Sequence, residues 1–175
     1  TSECVPGIGS KFDKEQFQNA LKTGHVNSIT IFAKCHHGWS YYPTKVNAMH
    51  PNLNFDLLGA QLEACKEINV KSPVYLSAGF DERMAREHGD WLIRHPDESL
   101  SDTKDFTTPG YHRMCYNTPY LDKLLAEIEE VMVLYHPGGI FLDISAVTPC
   151  VCGKCRKDIV GRGKDYRDPD AVWEQ

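Results

Sequence analysis

Three short apolar runs, separated from one another by segments of helical periodicity, limit what this chain can become more than any other feature. Ser-Ile-Thr-Ile-Phe-Ala (28–33), Pro-Val-Tyr-Leu-Ser-Ala (73–78) and Ile-Phe-Leu-Asp-Ile (140–144) are rich in β-branched and aromatic residues and have the length of buried strands. Ahead of the first, Asp13 reads as an N-cap with Gln16 three residues on, Phe17, Ala20 and Leu21 form an apolar face, and Gly24 is expected to stop the helix. Leu58, Leu62, Cys65 and Ile68 mark a second helix, and Leu121, Leu124, Leu125, Ile128, Val131 and Met132 a third, opening at Pro119 and broken by Pro137-Gly138-Gly139. Strands joined through helices must run the same way, so the expected class is α/β with a parallel sheet. Residues 34–54 and 83–113 are polar, the latter with a short helix at most near 84–91. A last helix is expected near 156–160, ahead of a charged tail.

The chain of 175 residues is read as one domain over 1–175, of ordinary globular composition at 41% hydrophobic and 25% charged residues. No apolar run approaches the roughly 20 residues of a membrane span. A net charge of −5 without a basic stripe argues against nucleic acid as a partner. Seven cysteines, an odd number, disfavour a purely disulfide framework, so a reducing, cytoplasmic setting is the simpler expectation. The first residues show neither a basic nor an apolar leader region. An earlier leader and self-association both stay open.

In a parallel α/β unit the residues just after each strand gather on one face. His36 and His37 follow the first strand, Asp81 and Glu82 the second, and Asp143 closes the third. Strand alternation puts Phe141 and Asp143 on one face and Ile140, Leu142 and Ile144 on the other. The wholly apolar face should meet the helices, which turns Asp143 the other way, where a carboxylate is costly unless used or paired. The blander alternative is an Asp that caps the next stretch of chain. His36 and His37 chelate poorly as neighbours on extended chain. They suit hydrogen bonding to a sugar, with Trp39, Tyr41 or Tyr42 stacking on its apolar side; the alternative is a polar surface loop. Glu82 is a second carboxylate on the same face, or a cap for the next helix. His50, His88, His95, His112 and His136 are assigned no role.

Cys150, Cys152 and Cys155 crowd one Pro/Gly loop, and Cys115 precedes the helix that leads to the third strand. That excursion starts and ends on one side, so the four thiols can meet as a closed tetrahedral zinc site, structural because no coordination position stays open. A redox pair among Cys150, Cys152 and Cys155 is the alternative.

Ala33-Lys34-Cys35-His36-His37-Gly38-Trp39 resembles the Ala-Lys-His-His-Asp-Gly-Phe strand end of family-29 α-L-fucosidases, with Cys35 within the Lys-His-His order and Gly38 where that motif has Asp. Gly139-Ile140-Phe141-Leu142-Asp143 looks like their nucleophile strand. Cys115 before Tyr116-Asn117-Thr118-Pro119-Tyr120, with Cys150, Cys152 and Cys155, is similar to the four-cysteine zinc site of family-42 β-galactosidases. The combination, from about Thr1 to Asp158, most resembles the hypothetical glycosyl hydrolase 6 family. The resemblance implies a (β/α)8 TIM barrel. It also implies a retaining O-glycoside hydrolase acting on a fucoside- or galactoside-like sugar, with Asp143 as nucleophile. His36, His37 and Trp39 would bind the substrate, Glu82 is the fallback acid/base, and Cys115, Cys150, Cys152 and Cys155 would hold structural Zn2+. A full barrel takes about 250 residues, so a partial barrel, without a complete catalytic pair, is expected. The rivals are a carbohydrate-binding pseudo-enzyme barrel and a zinc-scaffolded interaction module.

Overall fold

The computed structural model describes residues 1–103, 107 and 110–174, so part of the polar stretch expected at 83–113 lies outside the described residues. Helix α1 (Lys14–Thr23) starts where Asp13 accepts a hydrogen bond from the Gln16 amide at 2.7 Å. It stops at Gly24, as expected, but the left-handed residue is the next one. Gly24 keeps an ordinary φ of −77°, and His25 takes the left-handed turn at φ 51°. Strand β1 (Ile31–Lys34), helix α2 (Leu57–Glu67), strand β2 (Val74–Ser77), helix α3 (Glu82–Glu87), helix α4 (Tyr120–Tyr135), strand β3 (Ile140–Asp143), helix α5 (Gly153–Gly161) and helix α6 (Pro169–Trp173) come next in order. The first strand thus begins later than its β-branched run, since Ser28 makes only an isolated bridge to Lys71. Helix α5 begins earlier than expected and takes in Cys155.

The chain divides into two units, Thr1–Ser77 with Leu125–Asp143, and Ala78–Leu124 with Ile144–Gln175. In the first, the three strands form a parallel sheet in the order β1-β2-β3. Its two faces differ as alternation requires. Ile31, Ala33, Val74 and Leu76 pack with Leu21, Tyr42, Leu58, Cys65 and Val131 into the main core. The other face carries an aromatic row across the strands. Tyr75 stacks on Phe32 at 4.1 Å and on Phe141 at 5.8 Å between ring centroids. Tyr75 is buried between rings that stay 45% and 51% exposed, so this face is apolar yet open. Under β1, Lys34 and Glu127 of α4 form an ion pair at 2.7 Å with each side chain only 1% exposed.

In the second unit, Val151, Ile159, Ala171 and Val172 pack the last two helices, and Ile93 packs among four cysteines. A Cβ on Gly79 would stand 2.0 Å from the Ile144 carbonyl oxygen, so only glycine fits there. Ile144 itself sits at φ 55°, a costly backbone for a β-branched residue. Among the described residues no helix is long and apolar enough to cross a membrane.

Candidate functional site

Asp143 ends β3 directly opposite Ser77, the last residue of β2. Parallel neighbours in register project to the same face, here the one bearing the aromatic row. The Tyr75 hydroxyl, one turn of the pleat below, donates to Asp143 Oδ2 at 2.7 Å. That bond fixes the rotation of the carboxylate. The loop after β1 brings in His36, whose Nδ1 lies 2.6 Å from Ser77 Oγ and whose Nε2 lies 4.0 Å from Asp143 Oδ2. Burial pushes the imidazole below its ordinary pKa, with the Asp143 carboxylate pulling the other way. The neutral ring is therefore the form present at neutral pH. The first unit thus joins two of the residues singled out in the sequence, Asp143 and His36, through two that were not, Tyr75 and Ser77.

His37 and Trp39 lie on the same loop, both half-buried. The Trp39 indole N–H donates to Glu3 at 3.3 Å, and its ring meets His50 edge-on at 6.1 Å. Tyr42 is core: fully buried, it donates to Glu130 at 2.9 Å and meets Tyr135 edge-on. Burial, then the bond to Glu130, pushes its hydroxyl far above the usual phenol range.

In the second unit the cap of α3 is Asp81, which accepts from the Met84 amide at 2.9 Å. Glu82 stands in the first turn, 9% exposed. Its Oε2 lies 2.9 Å from Nδ1 of His112, itself 2% exposed, and its Oε1 lies 3.4 Å from Arg86 Nε. His112, assigned nothing from the sequence, is the chief partner of that carboxyl group. Thirty positions of separation left no local signal for the pairing.

Cys115, Cys150, Cys152 and Cys155 come together, all buried, with every sulfur within 4.8 Å of the others. The Cys115–Cys155 and Cys152–Cys155 separations are 3.5 Å, and Cys152–Cys115 is 3.9 Å. These are too long for S–S bonds, and all seven cysteines are free thiols. A tetrahedral ion with bonds of about 2.3 Å to sulfur needs ligands about 3.8 Å apart, so the spacing fits zinc. The Cys152 amide points at Cys150 Sγ (3.3 Å) and the Asn117 side-chain amide at Cys155 Sγ (3.7 Å), the kind of donors that steady metal-bound thiolates. Hydrogen bonds from Cys115 and Cys150 hold both Cys152 and Cys155 below the ordinary thiol range. Zinc bound here would brace the Cys150–Cys155 loop against the residue before Tyr116.

Comparison with solved structures gives an α-L-fucosidase isoenzyme 2 from Paenibacillus thiaminolyticus at 49% identity and TM-score 0.96, covering 98% of this chain and 26% of that one. A Thermotoga maritima α-fucosidase in complex with a mechanism-based inhibitor matches at 25% identity and TM-score 0.56, over 76% of this chain and 29% of that one. A family-29 α-L-fucosidase from Bacteroides thetaiotaomicron, at 18% identity and TM-score 0.55, covering 76% of this chain and 27% of that one, shares the fold. The chain thus spans about a quarter of the length of the solved structures it resembles. Curated proteins give no match. The family model described as hypothetical glycosyl hydrolase 6 matches residues 13–144, from the cap of α1 through the end of β3, and the chain belongs to that family.

Proposed function

We propose that this chain carries the nucleophile of a retaining O-glycoside hydrolase that acts on an α-L-fucoside or a closely related sugar. One observation carries the reading: a strand-end aspartate, oriented by Tyr75 and faced by His36, on the side of a parallel sheet turned away from its helices. The likeness to the Paenibacillus fucosidase supports the sugar class. The open aromatic row of Phe32, Tyr75 and Phe141 supports a partial (β/α)8 barrel, since such a face would line the interior of a closed one.

In the proposed reaction Asp143 attacks the anomeric carbon as the bond to the leaving oxygen breaks. A carboxylic acid gives that oxygen its proton. The same group, now a base, then takes a proton from the water that releases the sugar. Glu82, whose carboxyl group His112 meets at 2.9 Å, is only the fallback for that second role, which would otherwise be filled from outside this chain. His36, His37 and Trp39 would contact the sugar. Cys115, Cys150, Cys152 and Cys155 would hold one zinc in a closed, structural site, and the enzyme would work in the cytoplasm.

Turnover of nitrophenyl α-L-fucoside by the full-length protein and by its Asp143→Asn variant tests this. The variant should lose at least about 10³-fold in kcat while still binding fucose. Undiminished turnover removes Asp143 from the mechanism, and fucose binding without turnover by the unmodified protein replaces the hydrolase with a sugar-binding barrel.

A further inference from the structure

Ser77 is a buried hydroxyl at the end of an otherwise apolar and aromatic strand, Val-Tyr-Leu-Ser, and is 0% exposed. A hydroxyl is costly in such a place unless bonded. It lies 2.6 Å from His36 Nδ1, within hydrogen-bond distance. Because Ser77 pairs in register with Asp143, the two residues project to one face from strands about 4.8 Å apart, and the ring of His36 reaches from one toward the other. Nδ1 rests on the serine, and Nε2 faces Asp143 Oδ2 at 4.0 Å.

A neutral imidazole has one proton for two nitrogens, and the hydrogen bond at one nitrogen decides which keeps it. With the proton on Nδ1, the lone pair of Nε2 would face the negative oxygen of Asp143, an unfavourable arrangement. With the proton on Nε2, that N–H faces the carboxylate and the Nδ1 lone pair can accept from Ser77. The second arrangement is favourable at both of these contacts, a hydrogen bond at Nδ1 and, at Nε2, an N–H to carboxylate approach longer than a hydrogen bond. We propose that Ser77 is a positioning residue: its hydroxyl donates to His36 Nδ1 and so holds the ring as the Nε2–H tautomer, with that N–H directed to the edge of Asp143 where a sugar oxygen would lie. In its catalytic consequence this rests on the reading of Asp143 as nucleophile. The tautomer itself does not.

The test is a long-range ¹H–¹⁵N spectrum of the imidazoles in the substrate-free protein near pH 7.5, with the His36 signals identified by their loss in His36→Gln. Unmodified protein and Ser77→Thr should show His36 as the Nε2–H form, with Nδ1 unprotonated. Ser77→Ala should show a mixture of the two tautomers, and its kcat on nitrophenyl fucoside should fall by roughly 10- to 100-fold with KM changed less, as expected when a group is misoriented. Dominance of the Nδ1–H form in the unmodified protein overturns the proposal whether or not any variant folds. An unchanged tautomer in Ser77→Ala overturns it too. A tautomer that tracks the hydroxyl, in a protein that hydrolyses no fucoside, upholds the role of Ser77 and overturns the hydrolase instead.

Discussion

Lys34 and Glu127 offer the sharpest test of how the first unit is held together. Two opposite charges, each 1% exposed and 2.7 Å apart, have given up hydration worth several kcal/mol per ion, and their mutual attraction offsets that cost. Lys34→Met keeps most of the aliphatic stem and deletes the charge, removing from the buried Glu127 carboxylate the ammonium 2.7 Å away. The expected loss is about 3–5 kcal/mol. Glu127→Leu should lose a similar amount by removing the carboxylate from the buried ammonium. Lys34→Met combined with Glu127→Leu strands neither and adds apolar contact, so it should lie within about 2 kcal/mol of the parent. Urea unfolding tracked by circular dichroism reads this directly. At a slope of about 2 kcal/mol per M, each single variant moves the midpoint down by about 2 M, and the double variant regains at least half of that. Single variants that shift the midpoint by less than about 0.5 M would match a solvent-exposed pair and refute the argument. So would a double variant no better than the worse single one.

Gly79→Ala should destabilise by about 3 kcal/mol, because its Cβ meets a backbone carbonyl that cannot rotate aside; Gly89→Ala, with nothing within 4 Å, should be neutral or slightly stabilising in the same urea assay. Elemental analysis should find about one zinc per chain, resistant to mild chelation, and Cys152→Ser should lose the metal and lower the melting temperature; metal-free protein with four reactive thiols would reject the site. The depressed pKa of His36 makes stability pH-dependent in a defined sense. Below about 6.5 the unfolded chain takes up a proton that the folded ring refuses, so stability present above that pH is lost as pH falls toward the lower folded pKa. The urea midpoint should therefore drop more between pH 7.5 and 5.5 in the parent than in His36→Gln, and equal slopes would exclude the effect.

The parts of this protein that were legible are those where the physics is local. β-branched runs gave three strands, their alternation assigned the core face, and an Asp three residues before a Gln located the start of α1. The four cysteines were legible at long range because thiols clustered within one short loop have few other uses, and chain direction allowed Cys115 to reach them. Lys34 was not legible as the end of a buried strand, because what makes its charge tolerable is Glu127, far along the chain and itself an ordinary position in an amphipathic helix. The left-handed turn fell on His25 and not on Gly24 because the bonds closing the helix, from Gly24 to Ala20 and from Val26 to Leu21, place the turn one residue later. Tyr75 and Ser77 show the limit most clearly. A tyrosine and a serine two apart in an apolar strand look like β-propensity and a strand end. Their spacing does say that they share a face. What it cannot say is which residue of β3 stands beside them, and that register is what turns a common Tyr-x-Ser into a support for Asp143 and His36.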